Sequence, residues 1–202
     1  MGFAAYGFQH MLSRIQSGEL QKIVPESKGV AVLHYTGWQI RRALVTKYVM
    51  NYGDWYSSPY FKYSDSELKG NGGDLFENAF IRFSYKFFNG TLIGNYFDIP
   101  IISDRLVNHV AQMILESRKI YLEQFPGSRF YIMFYPVAYN NHPETRATDE
   151  RMKAILLSFG VDVLDYRNLL KMDEKNILSD GHPSFNANSL VADELKKDLG
   201  LK

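Results

Sequence analysis

Apolar residues gather along this chain in two alternating rhythms. Short runs rich in β-branched and aromatic residues, Val30 to Tyr35 (VAVLHY), Phe130 to Tyr135 (FYIMFY) and Val161 to Leu164 (VDVL), read as strands. Between them lie longer stretches with apolar positions recurring at three and four, which read as helices. The alternation predicts a parallel sheet covered by helices. The first two runs are continuous in apolar character, which predicts strands buried on both faces.

The helices have readable ends. Ser103 is placed to cap one that runs to about Phe125, with Leu106, Val110, Met113, Ile114 and Tyr121 on one face and Pro126 and Gly127 ending it. Pro143 starts a second, with an apolar stripe of Met152, Ile155, Leu156 and Phe159 and a stop at Gly160. A last helix carries Leu190, Val191 and Leu195 and closes at Gly200, while the first spans about Phe8 to Leu20, ending near Gly18 and Pro25. Residues 51–73 differ, being rich in Gly, Ser, Asn and Tyr, and Tyr60 to Tyr63 with Glu67 to Lys69 predict a hairpin. This stretch reads as an aromatic-rich insertion or lid on a single domain covering residues 1–202.

Composition narrows the partners. With 202 residues and 46% hydrophobic content the chain can bury a full core. Its 23 basic and 22 acidic residues nearly cancel, so no basic field points to nucleic acid and a small molecule is the expected partner. Cysteine is absent, which removes disulfides, thiolate metal sites and a cysteine nucleophile. No apolar run approaches the ~20 residues that span a bilayer. The opening MGFAAYGFQH lacks the basic and long apolar regions of a signal peptide. A soluble protein is expected; the compartment is left open.

No GxGxxG, P-loop, HExxH or G-x-S-x-G is present, and no metal or cofactor is expected. Gly70–Asn71–Gly72–Gly73 lacks a following Lys-Ser/Thr and reads as a flexible turn. The informative segment is Ile177 to Leu195 (ILSDGHPSFNANSLVADEL), where Asp180 and His182 precede the final helix. An imidazole works as a general base when something fixes its tautomer and steadies the cation it becomes, and a nearby carboxylate does both. The plainer reading makes Asp180 and Ser184 turn and cap residues and His182 a surface imidazole.

The whole block resembles the last sequence block of the SGNH hydrolases, the GDSL-type esterases and lipases, whose pattern often runs D-G-H-x-N into an Ala-rich helix. Asp180, Gly181 and His182 fit it, with the shorter D-x-H in place of D-x-x-H. Gly2 to Leu12 (GFAAYGFQHML) resembles that family's segment after its second strand, where a glycine amide serves the oxyanion hole; Ala5 stands there. The resemblance implies a three-layer α/β/α, flavodoxin-like parallel sheet and hydrolysis of an acyl or acetyl ester, with His182 as base and Asp180 as its orienter. Thr36–Gly37–Trp38–Gln39 stands where the family carries an oxyanion Asn, so Gly37 or Gln39 is the expected substitute. The family's Gly-Asp-Ser block would lie ahead of Met1, so the chain is expected to be N-terminally truncated and inactive as given, with its sheet edge open to self-association. The alternative is a non-catalytic pseudoenzyme whose cleft binds a carbohydrate or acyl group.

Other polar residues have simpler readings. His34 is expected to be a structural histidine at a strand end, His10 and His109 to face solvent, and Arg41 and Arg42 to be solvated. Asp165 stands at the carboxyl edge of a strand, where α/β sites form, and equally suits a turn with Tyr166 and Arg167. Tyr48, Tyr52, Trp55, Tyr56, Tyr60, Phe61 and Tyr63 read as a satellite core under the insertion.

Overall fold

A computed structural model describes residues 7–44, 59–64, 67–74, 79–89, 91, 102–137, 143–179 and 181–201. Among these the elements run α1 (Phe8–Gln16), α2 (Glu19–Ile23), β1 (Val30–Tyr35), α3 (Gly37–Ala43), β2 (Pro59–Ser64), β3 (Glu67–Asp74), α4 (Ala79–Asn89), α5 (Asp104–Gln124), β4 (Arg129–Phe134), α6 (Pro143–Ser158), β5 (Asp162–Asp165) and α7 (Phe185–Leu199). The fold is mixed α/β with a small parallel sheet. The chain divides into two compact units, one of Met1–Val30 with Trp38–Arg129 and one of Ala31–Gly37 with Phe130–Lys202.

The second unit holds the sheet, in the order β1-β4-β5. β4 and β5 pair in parallel from Tyr131 opposite Asp162 to Phe134 opposite Asp165. At the other side of β4, the Tyr135 amide donates to the Tyr35 carbonyl at 3.0 Å. Central placement explains the burial of Phe130, Ile132, Met133 and Phe134. β1 departs from the expectation of two buried faces: only Tyr35 is buried, while Val30 and His34 are exposed. Its residues are as apolar as those of β4, but it is an outer strand among the described residues, and position in the sheet decides coverage.

Helix α7 lays Ala187 and Val191 into a core with Met133, Tyr135, Val137, Tyr166 and Leu170, and Leu195 packs against it. The i, i+4, i+8 spacing makes this one stripe. Leu190, expected on it, lies off the stripe and is 44% exposed. On α6, Met152 and Leu156 are fully buried, so truncating either to Ala would cost about 2–5 kcal/mol. Phe159 is not part of that stripe: it falls past the helix end, in the turn at Gly160, and is 57% exposed.

The first unit packs α1 on α5. Phe8, Leu12 and Ile15 meet a helix that buries Val107, Val110, Ala111, Met113, Ile114 and Tyr121. The single first helix expected to reach Leu20 is two pieces, broken at Ser17 and Gly18. Ser103 occupies the N-cap of α5 without a side-chain cap bond, and Asp104 supplies the negative charge that the helix start favours. The expected hairpin is present as antiparallel β2 and β3. Gly70, Gly72 and Gly73 lie inside β3, not in a turn. The register runs from Tyr60 opposite Gly73 to Lys62 opposite Lys69, so β3 carries extra residues across from Phe61, and glycine permits that bulge. Phe61 itself is buried, as a satellite core requires. Tyr48, Tyr52, Trp55 and Tyr56 lie outside the described residues.

Candidate functional site

The site starts where the chain leaves β5 and turns back toward α7. Ile177 and Pro183 form an antiparallel bridge, and the Leu178 amide donates to the His182 carbonyl at 2.8 Å. The Gly181 amide donates to the Leu178 carbonyl at 2.9 Å, and Gly181 has φ +83°, a backbone setting that an L-residue takes only with strain. His182 is therefore carried on a closed loop with an exposed side chain.

Two buried polar residues hold that loop from below. Asn176 donates through its side chain to the Lys171 carbonyl at 2.9 Å, and its own carbonyl accepts the Ser184 amide at 2.8 Å. Its Oδ1 takes the Asn186 amide group at 2.7 Å. Ser184 caps α7 by accepting from the Ala187 amide at 3.2 Å, and its hydroxyl donates to the Lys175 carbonyl at 2.7 Å. The sequence signal for Ser184 was its place before the helix. Asn176 gave none, because its partners are backbone groups brought close only by the loop.

Tyr135 ties the carboxyl end of β4 to the start of α7. Its hydroxyl donates to Asn188 Oδ1, and its ring meets His34 edge-on with centroids 4.6 Å apart. Burial raises the Tyr135 pKa above the ordinary phenol value, which keeps this donor protonated. His182, six residues before Asn188, thus precedes a helix whose first turn is fixed to the carboxyl edge of the sheet, where α/β proteins place their sites.

Asp180 and Ala5 lie outside the described residues. Gly37 and Gln39 stand in the first turn of the seven-residue α3. A Cβ on Gly37 would lie 2.6 Å from Thr145 Cγ2 and 3.2 Å from Asp149 Oδ1, so glycine is required there for close approach to α6. The Arg41 guanidinium lies over the Trp38 ring at 5.9 Å, so it is engaged with the chain instead of being merely solvated, while the Arg42 backbone carbonyl accepts from the buried Gln9 side chain at 2.8 Å.

Both helical histidines contradict their expected surface placement. His109 is 8% exposed, because α5 is covered on more than its one apolar face, and burial lowers its pKa to about 4 against a hydrogen bond with the Phe61 backbone. His10 is half-buried, with its pKa lowered to about 4 by desolvation, and its Nδ1 accepts the Gly7 amide at 3.4 Å, at the start of α1.

Asp165 is a structural ion-pair residue. Desolvation pushes its pKa up, but hydrogen bonds from Arg167 and Lys153 override this and hold it well below the usual carboxylate range. Arg167 Nε reaches Asp165 at 2.8 Å, Lys153 Nζ at 2.7 Å, and the guanidinium also lies over the Phe134 ring at 5.0 Å. Asp149 is, with Asn176, a buried polar group that sequence reasoning missed. It is 1% exposed, and its place on an otherwise charged stretch of α6 gave no sign of it. Among the described residues no group of three or more acidic or histidine side chains is arranged to hold a metal ion.

Comparison with protein-family models, with curated proteins and with solved structures finds no match to this chain.

Proposed function

We propose that this chain is an SGNH-type carboxylic ester hydrolase domain in which His182 is the general base and Asp180 the carboxylate that orients it. The observation that carries the reading is the locked loop: a histidine displayed on a closed turn immediately before a helix whose first turn is tied to the carboxyl edge of a parallel sheet. The order β1-β4-β5 also suits strands three to five of a flavodoxin-like sheet ordered 2-1-3-4-5. In this chemistry His182 takes the proton of a serine hydroxyl as its oxygen attacks the ester carbonyl. It then returns the proton to the departing alcohol, while backbone amides hold the oxyanion. Gly37 and Gln39 are the described candidates for that last role and Ala5 a further one.

The sequence has no Gly-x-Ser, which favours a second reading, a pseudoenzyme that binds a carbohydrate or acyl group. Two measurements separate the readings. A hydrogen bond from His182 to Asp180 should give a far-downfield imidazole N–H resonance that Asp180→Asn removes; without such a resonance the base-and-orienter assignment fails. A form carrying a Gly-Asp-Ser strand ahead of Gly2 should hydrolyse short aryl esters, with His182→Ala losing about 10³-fold or more. If the resonance is present and no ester is cleaved, the binding reading stands.

A further inference from the structure

The register of the loop that carries His182 says what stands beside the imidazole. Ile177 bridges Pro183 in antiparallel sense, so the next pair along is Leu178 opposite His182, and the Leu178 amide donates to the His182 carbonyl at 2.8 Å. Gly181 is the extra residue of a glycine bulge, with φ +83° and its amide on the Leu178 carbonyl at 2.9 Å. Residues directly opposite in an antiparallel pair put their side chains on one face, with Cβ atoms about 4.5–5.5 Å apart. Burial agrees with that register: Ile177 and Pro183 are half-buried, whereas His182 is exposed and Leu178 is 50% exposed. An outward leucine therefore flanks the imidazole. Phe185, the first residue of α7 and three beyond His182, is 88% exposed.

We propose that Leu178 and Phe185 are specificity-determining residues that seat the alcohol part of the ester, and that this alcohol is apolar. The inference rests on the reading of His182 as the base. In that chemistry the bond between the acyl carbon and the alcohol oxygen breaks, its electron pair goes to the oxygen, and His182 returns there the proton it took from the serine hydroxyl. The acyl group stays on the serine while the alcohol leaves past the imidazole. A side chain on the imidazole's own face thus meets the alcohol and not the acyl chain. Polar recognition has little to work with at this face. Asp180, the orienter in that reading, is the only charged residue from Ile177 to Ser189, and Asn186 and Asn188 are engaged with Asn176 and Tyr135. Removing Leu178 and Phe185 from water favours a hydrocarbon or aryl alcohol over a polyol or a charged one.

Two measurements test it. In the 202-residue chain, benzyl alcohol should shift the NMR signals of the Leu178 methyls and the His182 ring in a saturable way, and glycerol should not. Leu178→Ser should abolish the His182 shift while leaving the thermal midpoint near that of wild type, since Leu178 is half exposed. In the form carrying a Gly-Asp-Ser strand ahead of Gly2, benzyl acetate and methyl acetate give the same acyl-enzyme and differ only in the alcohol. Leu178→Ser should lower kcat/KM for benzyl acetate about tenfold or more, and Phe185→Ser should lower it too, with methyl acetate little changed. Absence of the benzyl alcohol shift, or equal losses on the two esters, overturns the assignment and leaves His182 as base untouched. An extended form that cleaves neither ester fails the hydrolase reading itself, and the alcohol assignment falls with it.

Discussion

The Tyr35 hydroxyl at the end of β1 donates a 2.9 Å hydrogen bond to Asp149 Oδ1 on α6, and both residues are 1% exposed. Desolvation pushes the Asp149 pKa up to about 6, and the Tyr35 bond draws it part of the way back. Tyr35→Phe would leave a buried carboxylate short of a donor at pH 8, costing about 1–3 kcal/mol. Near pH 5, where the carboxyl is protonated, the cost should be smaller. Urea unfolding at the two pH values checks this, and equal losses would contradict it.

Asp149 and His109 set opposing pH trends. The folded pKa of Asp149, raised from 3.8 to about 6, gives a contribution present below pH 3.8 and lost as the pH rises through 6. That loss is about 3 kcal/mol. The folded pKa of His109, lowered from 6.5 to about 4, gives a contribution present above 6.5 and lost as the pH falls through 4. Asp149→Asn should therefore gain stability relative to wild type between pH 4 and 7, and His109→Leu should gain relative to wild type between pH 6.5 and 4. Thermal midpoints across that range test both.

Gly37→Ala should destabilise by about 1–3 kcal/mol, since overpacking at a tight helix contact has few ways to relax. Thr145→Ser removes the methyl that the new Cβ would strike at 2.6 Å. Most of the loss should return in the double variant; a purely additive cycle would show that the contact is not the cause.

Ser184→Ala removes the cap to the Ala187 amide and the bond to the Lys175 carbonyl. The expected loss is about 1–2 kcal/mol, accompanied by faster hydrogen exchange at Ala187 and Leu178. Exchange unchanged at Leu178 would mean that the loop carrying His182 does not depend on this clamp.

The 202-residue chain by itself should not turn over simple aryl esters, because it contains no Gly-x-Ser to present a nucleophile at a strand-to-helix turn. Turnover abolished by a serine-directed phosphonate would prove this wrong.

Much of the fold was legible where local pattern and burial agree. The run FYIMFY reads as a buried strand and is the central one, and the apolar positions of α5 fall where its period of 3.6 puts them. Patterns failed where tertiary placement decided the outcome. VAVLHY is as apolar as β4 yet only partly covered, because a strand's position in a sheet is not written in its own residues. His109 reads as polar and therefore solvent-facing, but packing on more than one side of α5 buries it. The glycines of β3 read as a turn because their fit to a bulge depends on the partner strand. At the candidate site, the Asp-Gly-His motif and the Ser184 cap were visible, whereas Asn176 and the Tyr135–Asn188 tie join residues far apart in sequence.

That distance has a consequence for synthesis. Tyr35 accepts its sheet hydrogen bond from Tyr135, a hundred residues later, whereas Ser64 pairs with Glu67 almost as soon as both exist. At ribosomal speeds of about 5–20 residues per second, β1 waits roughly 5–20 s for the β4 partner to be made. The hairpin of β2 and β3 closes within that interval, in microseconds once it has emerged. The run VAVLHY passes the wait without its β4 partner, and this is the stretch of the nascent chain where chaperone capture or off-pathway association would concentrate.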